Sequence, residues 1–235
     1  MKKSLLISLT AVIALVAAGN AQAGLATFSE DFQSYGANTA FPGTPYLQAS
    51  YNGAGTAGKI LESNGNRYFS VDTQDHDLWL AQAPGAENFQ ISFRQNQSAA
   101  NDWNRVFAVY WTGTGGNHVV QMTRNATGIG FGDVAGSTGA TPLAIPGSGA
   151  ITDWLWFRIT RTGPSLKIEG STTNAFINAP FRTVTLPGAT NITLMGWKWQ
   201  PTINVDDIKM AAVPEPATMS MLAIGGLLAM RRRRR

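Results

Sequence analysis

Period-two alternation of apolar and polar side chains recurs along this 235-residue chain. In NFQISFRQ the apolar side chains Phe89, Ile91 and Phe93 fall on one side of an extended chain, and polar side chains fall on the other. The same alternation is present in WLWFRITR, SLKIEG, FRTVTL and INVDDIKM, whereas RVFAVYW is apolar on both sides. Alternation is typical of strands with one buried face, and a fully apolar run predicts a strand in the middle of a sheet.

Turn-forming residues separate these stretches. Clusters rich in Gly, Pro and Asn lie at 53–58, 64–66, 113–117, 136–139, 163–164 and 187–188. Clusters of this kind end strands, so the body is predicted to hold about 11 to 13 short strands and no long helix. A two-sheet antiparallel sandwich is the arrangement that best protects the edges of so many strands.

Composition narrows the classes of site that the chain can hold. It has no cysteine, which excludes disulfides, thiolate metal sites and cysteine nucleophiles. The net charge of +4 comes from the ends, because residues 24–212 hold 11 basic and 13 acidic side chains, a net charge of −2. A nucleic-acid interface needs a basic surface that this segment does not have, so nucleic acid is not an expected partner. The length of residues 24–212 suits one domain.

Two strand patterns carry a resemblance to a known fold group. FSEDFQSY, at residues 28–35, and the late INVDDIKM resemble the first and last strands of concanavalin-A-like jelly rolls, which include laminin-G-like modules and legume lectins. WLWFRITRTGPSLKIEGS is similar to an aromatic-led hairpin of the same group. The resemblance implies an all-β sandwich, a concanavalin-A-like jelly roll, in which the first and last strands lie side by side. A carbohydrate-binding-module jelly roll with another strand order is the alternative.

The N-terminus is typical of a secretory leader. Lys2 and Lys3 precede the apolar stretch 5–18, and small residues follow at Ala21 and Ala23. This pattern predicts a signal helix at residues 1–23 that signal peptidase removes after Ala23. A permanent membrane span is a weaker interpretation, because the apolar stretch is short for one.

The C-terminus pairs a short apolar stretch with a basic cluster. Residues 217–230 carry no charge, and five arginines follow: Arg231, Arg232, Arg233, Arg234 and Arg235. A helix of that length spans about 21 Å, short of the roughly 30 Å hydrocarbon core. The arginines resist translocation, so they are predicted to stop a short transmembrane helix on the cytoplasmic side. A plain C-terminal anchor would have the same features.

The residues before the apolar stretch distinguish these two interpretations. Pro214, Glu215 and Pro216, followed by the apolar stretch and the arginines, resemble the bacterial PEP-CTERM sorting signal. The resemblance covers residues 213–235 and implies recognition by a membrane-embedded exosortase. It also implies a Gram-negative bacterium that makes extracellular polysaccharide.

Known catalytic patterns are missing from the sequence. Hydrolytic members of the concanavalin-A-like group carry a Glu-x-Asp-x-(x)-Glu pattern, and this sequence contains no Glu-x-Asp. We therefore expect no enzymatic activity. The alternative is a polysaccharide hydrolase or lyase with an atypical site at Asp72, Asp75 and Asp77, in VDTQDHDL. The same aspartates could bind calcium, or they could belong to an ordinary solvated turn.

Two acidic pairs suggest a metal site. If the first and last strands pair, Glu30 and Asp31 approach Asp206 and Asp207. Like charges at short range need a cation between them, so a structural calcium is possible there. Several relatives in the fold group carry calcium near this junction. The alternative is that neighbouring strand residues point to opposite faces and some of these acids are simply exposed.

Tryptophans at alternate positions suggest glycan binding. WLWFR places Trp154 and Trp156 on one face beside Arg158, opposite Leu155 and Phe157. A second pair of tryptophans lies in GWKWQ, at Trp197 and Trp199. Sugar rings stack their apolar C–H faces on tryptophan, while polar groups bind the hydroxyls. Burial in the core of the sandwich is the alternative for either pair.

Together these patterns predict an exported protein of the cell surface or extracellular matrix. Its expected partners are signal peptidase, an exosortase and extracellular polysaccharide. Its predicted role is that of a non-catalytic glycan-binding or structural component of the exopolysaccharide or biofilm matrix.

Overall fold

A computed structural model gives the structure of the chain. It describes residues 27–51, 58–71, 76–97, 105–113, 116–125, 128–133, 143–148, 150, 152–186, 191–197 and 203–213. The predicted signal helix, the residues from Pro214 to Arg235, and Asp72, Asp75 and Trp199 lie outside the described residues.

Fifteen strands occupy most of the described chain. They are β1 Phe28–Glu30, β2 Thr39–Ala40, β3 Leu47–Tyr51, β4 Lys59–Ser63, β5 Asn66–Val71, β6 His76–Leu80, β7 Phe89–Gln97, β8 Arg105–Gly113, β9 Gly116–Asn125, β10 Gly128–Asp133, β11 Leu155–Thr162, β12 Ser165–Ser171, β13 Phe181–Thr185, β14 Asn191–Trp197 and β15 Ile203–Ala212. None of the described residues belongs to a helix with the length and apolar character that a membrane span requires.

The strands form two antiparallel sheets. The nine-stranded sheet has the order β13-β12-β11-β7-β15-β5-β4-β2, and β1 also pairs with β15. The six-stranded sheet has the order β10-β9-β8-β14-β6-β3. The predicted all-β sandwich is confirmed. RVFAVYW forms β8, which lies inside the six-stranded sheet between β9 and β14, as an apolar run predicts.

The first and last strands lie side by side, as the resemblance implied. Phe28 pairs with Met210, and Glu30 pairs with Ile208. The predicted aromatic-led hairpin is also present, because β11 pairs with β12 along its length, from Trp156 with Ser171 to Thr162 with Ser165. The alternation along β11 holds too, since Leu155, Phe157 and Ile159 are buried while the residues between them are partly exposed.

Aromatic side chains fill the space between the sheets. Phe93 of the nine-stranded sheet lies with its ring centroid 5.3 Å from that of Phe107 and 4.9 Å from that of Trp197, both of the six-stranded sheet. A second group of aromatics, around Phe32, Phe41 and Phe69, has ring centroids 5.5 to 6.1 Å apart. Burial of such large apolar side chains contributes about 25 cal/mol for each Å² removed from water. The core therefore holds the two sheets face to face.

Candidate functional site

The outer face of the nine-stranded sheet carries the first tryptophan pair. Trp154 and Trp156 are partly exposed and lie on the side of β11 that faces away from the core. In the register of the sheet Trp156 lies opposite Arg94 of β7 and opposite Ser171 of β12. We name this region, defined by Arg94, Trp154, Trp156, Arg158 and Glu169, the tryptophan–arginine face.

Arg94 connects the tryptophans to a buried carboxylate. Its Nη2 donates hydrogen bonds to Asp206 Oδ2, at 2.5 Å, and to Asn66 Oδ1, at 2.7 Å. Its guanidinium carbon lies 5.0 Å from the centre of the Trp154 ring. Trp154 also makes an edge-to-face contact with Tyr68, with 5.5 Å between centroids. Stacking on tryptophan fixes the plane of a guanidinium, so the groups on this part of the face hold one another in place.

The carboxylate of Asp206 is fully buried. Burial raises the pKa of this carboxyl, while hydrogen bonding from Asn66 Nδ2, at 2.8 Å, and the charge of Arg94 oppose the increase. A buried carboxylate without a partner would be costly, and Arg94 supplies the opposite charge.

A β-bulge brings a second acid to the same arginine. Between Asp206 and Lys209 the register of β15 against β7 shifts by one residue, and Asp207 has a φ of 51°. In a regular strand neighbouring side chains point to opposite faces. The extra residue of the bulge removes this constraint, and Asp207 Oδ2 lies 2.8 Å from Arg94 Nε.

A second ion-pair cluster lies beside Trp156 on β11 and β12. Arg158 donates two hydrogen bonds to the carboxylate of Glu169, at 2.7 and 2.9 Å, and Lys167 donates a third at 2.9 Å. The hydrogen bonds from Arg158 hold the pKa of the Glu169 carboxyl below its ordinary value, against the opposing effect of burial. The Phe176 ring lies 4.4 Å from the Arg158 guanidinium carbon. The polar groups of this cluster therefore have fixed positions.

The acidic pairs at the strand junction do not form the predicted calcium site. Glu30 accepts hydrogen bonds from Phe32 N, at 2.9 Å, and from the Tyr35 hydroxyl, at 3.2 Å, while Asp31 is exposed. Asp206 and Asp207 are paired with Arg94. Within the described residues no group of three acidic or histidine side chains could hold a metal ion. The prediction that these four acids converge is wrong, because an arginine supplies the positive charge expected from calcium.

Trp197 is not available to a ligand. Its side chain is fully buried, between Phe93 and Phe107 in the core. The prediction of a glycan-binding role for Trp197 is therefore wrong, and its alternative, burial in the sandwich, is confirmed. Asp77, the one described member of the aspartate cluster in VDTQDHDL, is buried in β6 of the other sheet.

Sequence reasoning missed three residues of the tryptophan–arginine face and its surroundings. Arg94 was missed because it occupies an outward position in an alternating strand, and charged side chains are common at such positions. Glu169 follows Lys167 at alternate positions of β12, and this spacing signals that both share a face with the cross-strand Arg158. Phe176 lies in the β12–β13 connection and has a φ of 51°. No sequence pattern predicts this backbone conformation for a phenylalanine.

Several solved structures resemble the chain at low sequence identity. Lectin UEA-II complexed with galactose is 10% identical, with a TM-score of 0.48 and coverage of 82% of this chain and 100% of that one. Arcelin-5, a lectin-like defense protein from Phaseolus vulgaris, is 8% identical, with a TM-score of 0.47 and coverage of 80% and 99%. An engineered GH43 glycoside hydrolase is 15% identical, with a TM-score of 0.50, and the match covers 83% of this chain but 42% of that one. Likeness at these identities concerns the fold alone.

A family model matches the end of the chain. The PEP-CTERM protein-sorting motif covers residues 212–235. No curated protein matches the chain. The C-terminus is therefore a PEP-CTERM sorting motif, which implies processing by an exosortase and an exported, cell-surface protein.

Proposed function

We propose that this protein is a non-catalytic glycan-binding component of the extracellular polysaccharide matrix of a Gram-negative bacterium. The sorting motif supports a location outside the cytoplasm, and the resemblance to this signal implies a bacterium that makes extracellular polysaccharide. In this proposal the short C-terminal helix anchors the chain in the inner membrane until the exosortase acts. The tryptophan–arginine face then holds glycan by stacking and hydrogen bonding, without breaking a bond.

The observation that carries the proposal is the surroundings of Trp156. Its side chain is partly exposed on the outer face, and among the described residues no ring or cation stacks on it. Arg94 lies opposite Trp156 in the neighbouring strand, and Arg158 follows two residues later on the same face. An aromatic ring flanked by polar groups in fixed positions suits a sugar, which offers apolar C–H faces and hydroxyls together.

The distance between Glu169 of this face and Asp206, the buried carboxylate paired with Arg94, favours binding over hydrolysis. Glu169 on β12 and Asp206 on β15 are separated by β11 and β7, so three strand spacings place them about 14 Å apart. Glycosidase carboxyl pairs lie about 5 to 10 Å apart, on either side of the bond that breaks. Each carboxylate is also paired with an arginine. Arg158 holds the pKa of the Glu169 carboxyl below its ordinary value, and the Asp206 carboxyl, whose pKa burial raises, is fully buried.

Retention on polysaccharide tests the proposal. The purified full-length protein is run through gels containing neutral or acidic polysaccharides, including the extracellular polysaccharide of the producing bacterium. We expect retardation in at least one gel, and an affinity about ten-fold weaker for Trp156→Ala, equivalent to about 1.4 kcal/mol.

Ile177→Ala is the matched control, because Ile177 is the most exposed large apolar residue of the described chain and lies outside the defined face. Equal retention of wild type and Trp156→Ala would contradict the proposed site. Release of reducing ends from any of the polysaccharides would contradict the non-catalytic role.

A further inference from the structure

The sorting motif follows the folded sheet with no linker. β15 continues to Ala212, which pairs with Phe89, and the N–H of Val213 donates a hydrogen bond to the Asn88 carbonyl at 3.0 Å. Pro214, the first residue of the Pro-Glu-Pro triplet, comes next. The matched motif begins at residue 212, so its start is part of the last strand.

The point where the chain leaves the sheet is firmly held. Asn88, which accepts the Val213 N–H, also accepts the N–H of Gly163 through its side-chain oxygen, at 2.8 Å. The guanidinium of Arg161 donates to the carbonyls of Gly163, at 3.0 Å, and of Gly85, at 2.5 Å. Arg161 is almost fully buried. These hydrogen bonds tie the end of β15 to the β11–β12 turn, and a strand end held in this way resists fraying.

The short distance from the end of β15 to the motif limits where a protein that binds the motif can lie. A fully extended chain spans at most about 3.6 Å per residue, so Pro216 lies within about 11 Å of Val213. The exposed residues Thr162, Gly163 and Pro164 form the turn beside the same point. An enzyme that encloses Pro214–Pro216 therefore comes within contact distance of this turn.

We infer that the end of the sandwich where the chain leaves, which we name the exit end and define as Asn88, Thr162–Pro164 and Ala212, docks on the exosortase while that enzyme holds the sorting motif. The side chains of the exit end carry no charge. They therefore avoid the cost of desolvating an ionised group against a protein surface. The exosortase then contacts the exit end and the motif together, because the two are adjacent in the chain.

This contact is centred away from Trp156. Trp156 lies opposite Arg94, which lies opposite Asp206, six residues before Ala212. At about 3.3 Å per residue Trp156 is roughly 20 Å from the exit end along β15, and Arg158, four residues before Thr162, is about 13 Å from it. Variants at Trp156 and at the exit end therefore test separate sites.

Site-specific photo-cross-linking tests the inference in cells that produce the exosortase. A photoreactive amino acid replaces Thr162 at the exit end or, as the matched control, Thr173, an exposed threonine beyond the opposite end of β12. A probe at Thr218, inside the matched motif, identifies cells in which the enzyme engages the chain. We expect an adduct with the exosortase from Thr162 that is at least several-fold more abundant than the adduct from Thr173.

Insertion of a spacer tests whether the Thr162 adduct depends on the short connection between the sheet and the motif. About ten Gly and Ser residues inserted between Val213 and Pro214 add a flexible segment with a root-mean-square length of roughly 17 Å. We expect the Thr162 adduct to fall several-fold while the Thr218 adduct remains. The inference is wrong if Thr218 cross-links and Thr162 does not, if Thr162 and Thr173 react equally, or if the spacer leaves the Thr162 adduct unchanged.

Discussion

Arg94 is the residue that gives the candidate site its structure. It pairs with Asp206 and Asp207 and stacks on Trp154, and so it joins two groups of residues that the sequence analysis treated separately. The shared face of Trp154 and Trp156 was predictable, because alternation assigns a face to each residue. The role of Arg94 was not, since it depends on which strand lies beside β7.

Replacing Arg94 should destabilise the fold through Asp206. Arg94→Met leaves a buried carboxylate without its charged partner, a change that costs about 3 to 5 kcal/mol. We expect a corresponding decrease in the free energy of unfolding, measured by urea denaturation, and a smaller decrease for Arg94→Lys, which keeps the charge but loses the planar fork. The double variant Arg94→Met/Asp206→Asn should recover much of the lost free energy of unfolding, because it no longer buries an unpaired carboxylate. An unchanged unfolding midpoint for Arg94→Met would rule out this role.

Glu169 should make the stability of the fold sensitive to acid. Hydrogen bonds from Arg158 lower the pKa of its carboxyl from the ordinary 4.5. The unfolded chain therefore binds the proton more readily, and the contribution is fully present above about pH 4.5 and lost as the pH falls through the lower folded-state value. We expect Glu169→Gln to lose less stability than wild type between about pH 5 and pH 3.

The raised pKa of Asp206 acts in the opposite direction, because the folded protein then binds its proton more readily and loses stability as the pH rises. Asp206 is present in both wild type and Glu169→Gln, so the difference in their pH dependence of stability reports on Glu169 alone. Equal losses of the free energy of unfolding in wild type and Glu169→Gln across this pH range would contradict the effect assigned to Glu169.

At the scale of elements, side-chain periodicity located the long strands and missed their irregularities. INVDDIKM predicted the strand that became β15, but strict alternation assigned Asp206 and Asp207 to opposite faces. The bulge overturned that assignment, and the one signal for it was an Asp-Asp pair inside a strand, since aspartate tolerates a positive φ. The same periodicity placed Trp197 and Trp199 together, but which face of β14 is buried depends on the opposite sheet.

The contact of β14 with β6 depends on a residue without a side chain. A Cβ at Gly196 would lie 2.7 Å from Trp79 Cε3 and would also clash with the backbone oxygen of Leu78. We expect Gly196→Ala to lower the free energy of unfolding by about 1 to 3 kcal/mol, as overpacking does elsewhere. Thr193→Ala, at an exposed position of the same strand, serves as the control. Equal thermal midpoints for the two variants would show that β6 and β14 can move apart without cost.

At the scale of the whole molecule, the proposed glycan face and the proposed docking end both include or adjoin β15. The pairing of β1 with β15 brings the first and last strands of the sandwich together, and β15 leads directly into the sorting motif. Trp156 lies across β7 from Asp206, toward the start of the same strand. Local patterns predicted the sandwich and the sorting motif, and the resemblance to the concanavalin-A-like group implied this pairing. The order of the remaining strands, which brings Arg94 between Trp156 and Asp206, depends on contacts between residues distant in sequence.

Oxidative footprinting of tryptophan side chains tests the proposed glycan face most directly. The protein is oxidised with and without the polysaccharide that retains it, and the modified residues are identified by mass spectrometry. We expect glycan to decrease oxidation of Trp156 several-fold, while the buried Trp197 stays unreactive in both samples. Equal oxidation of Trp156 with and without bound glycan would contradict the assignment of this face.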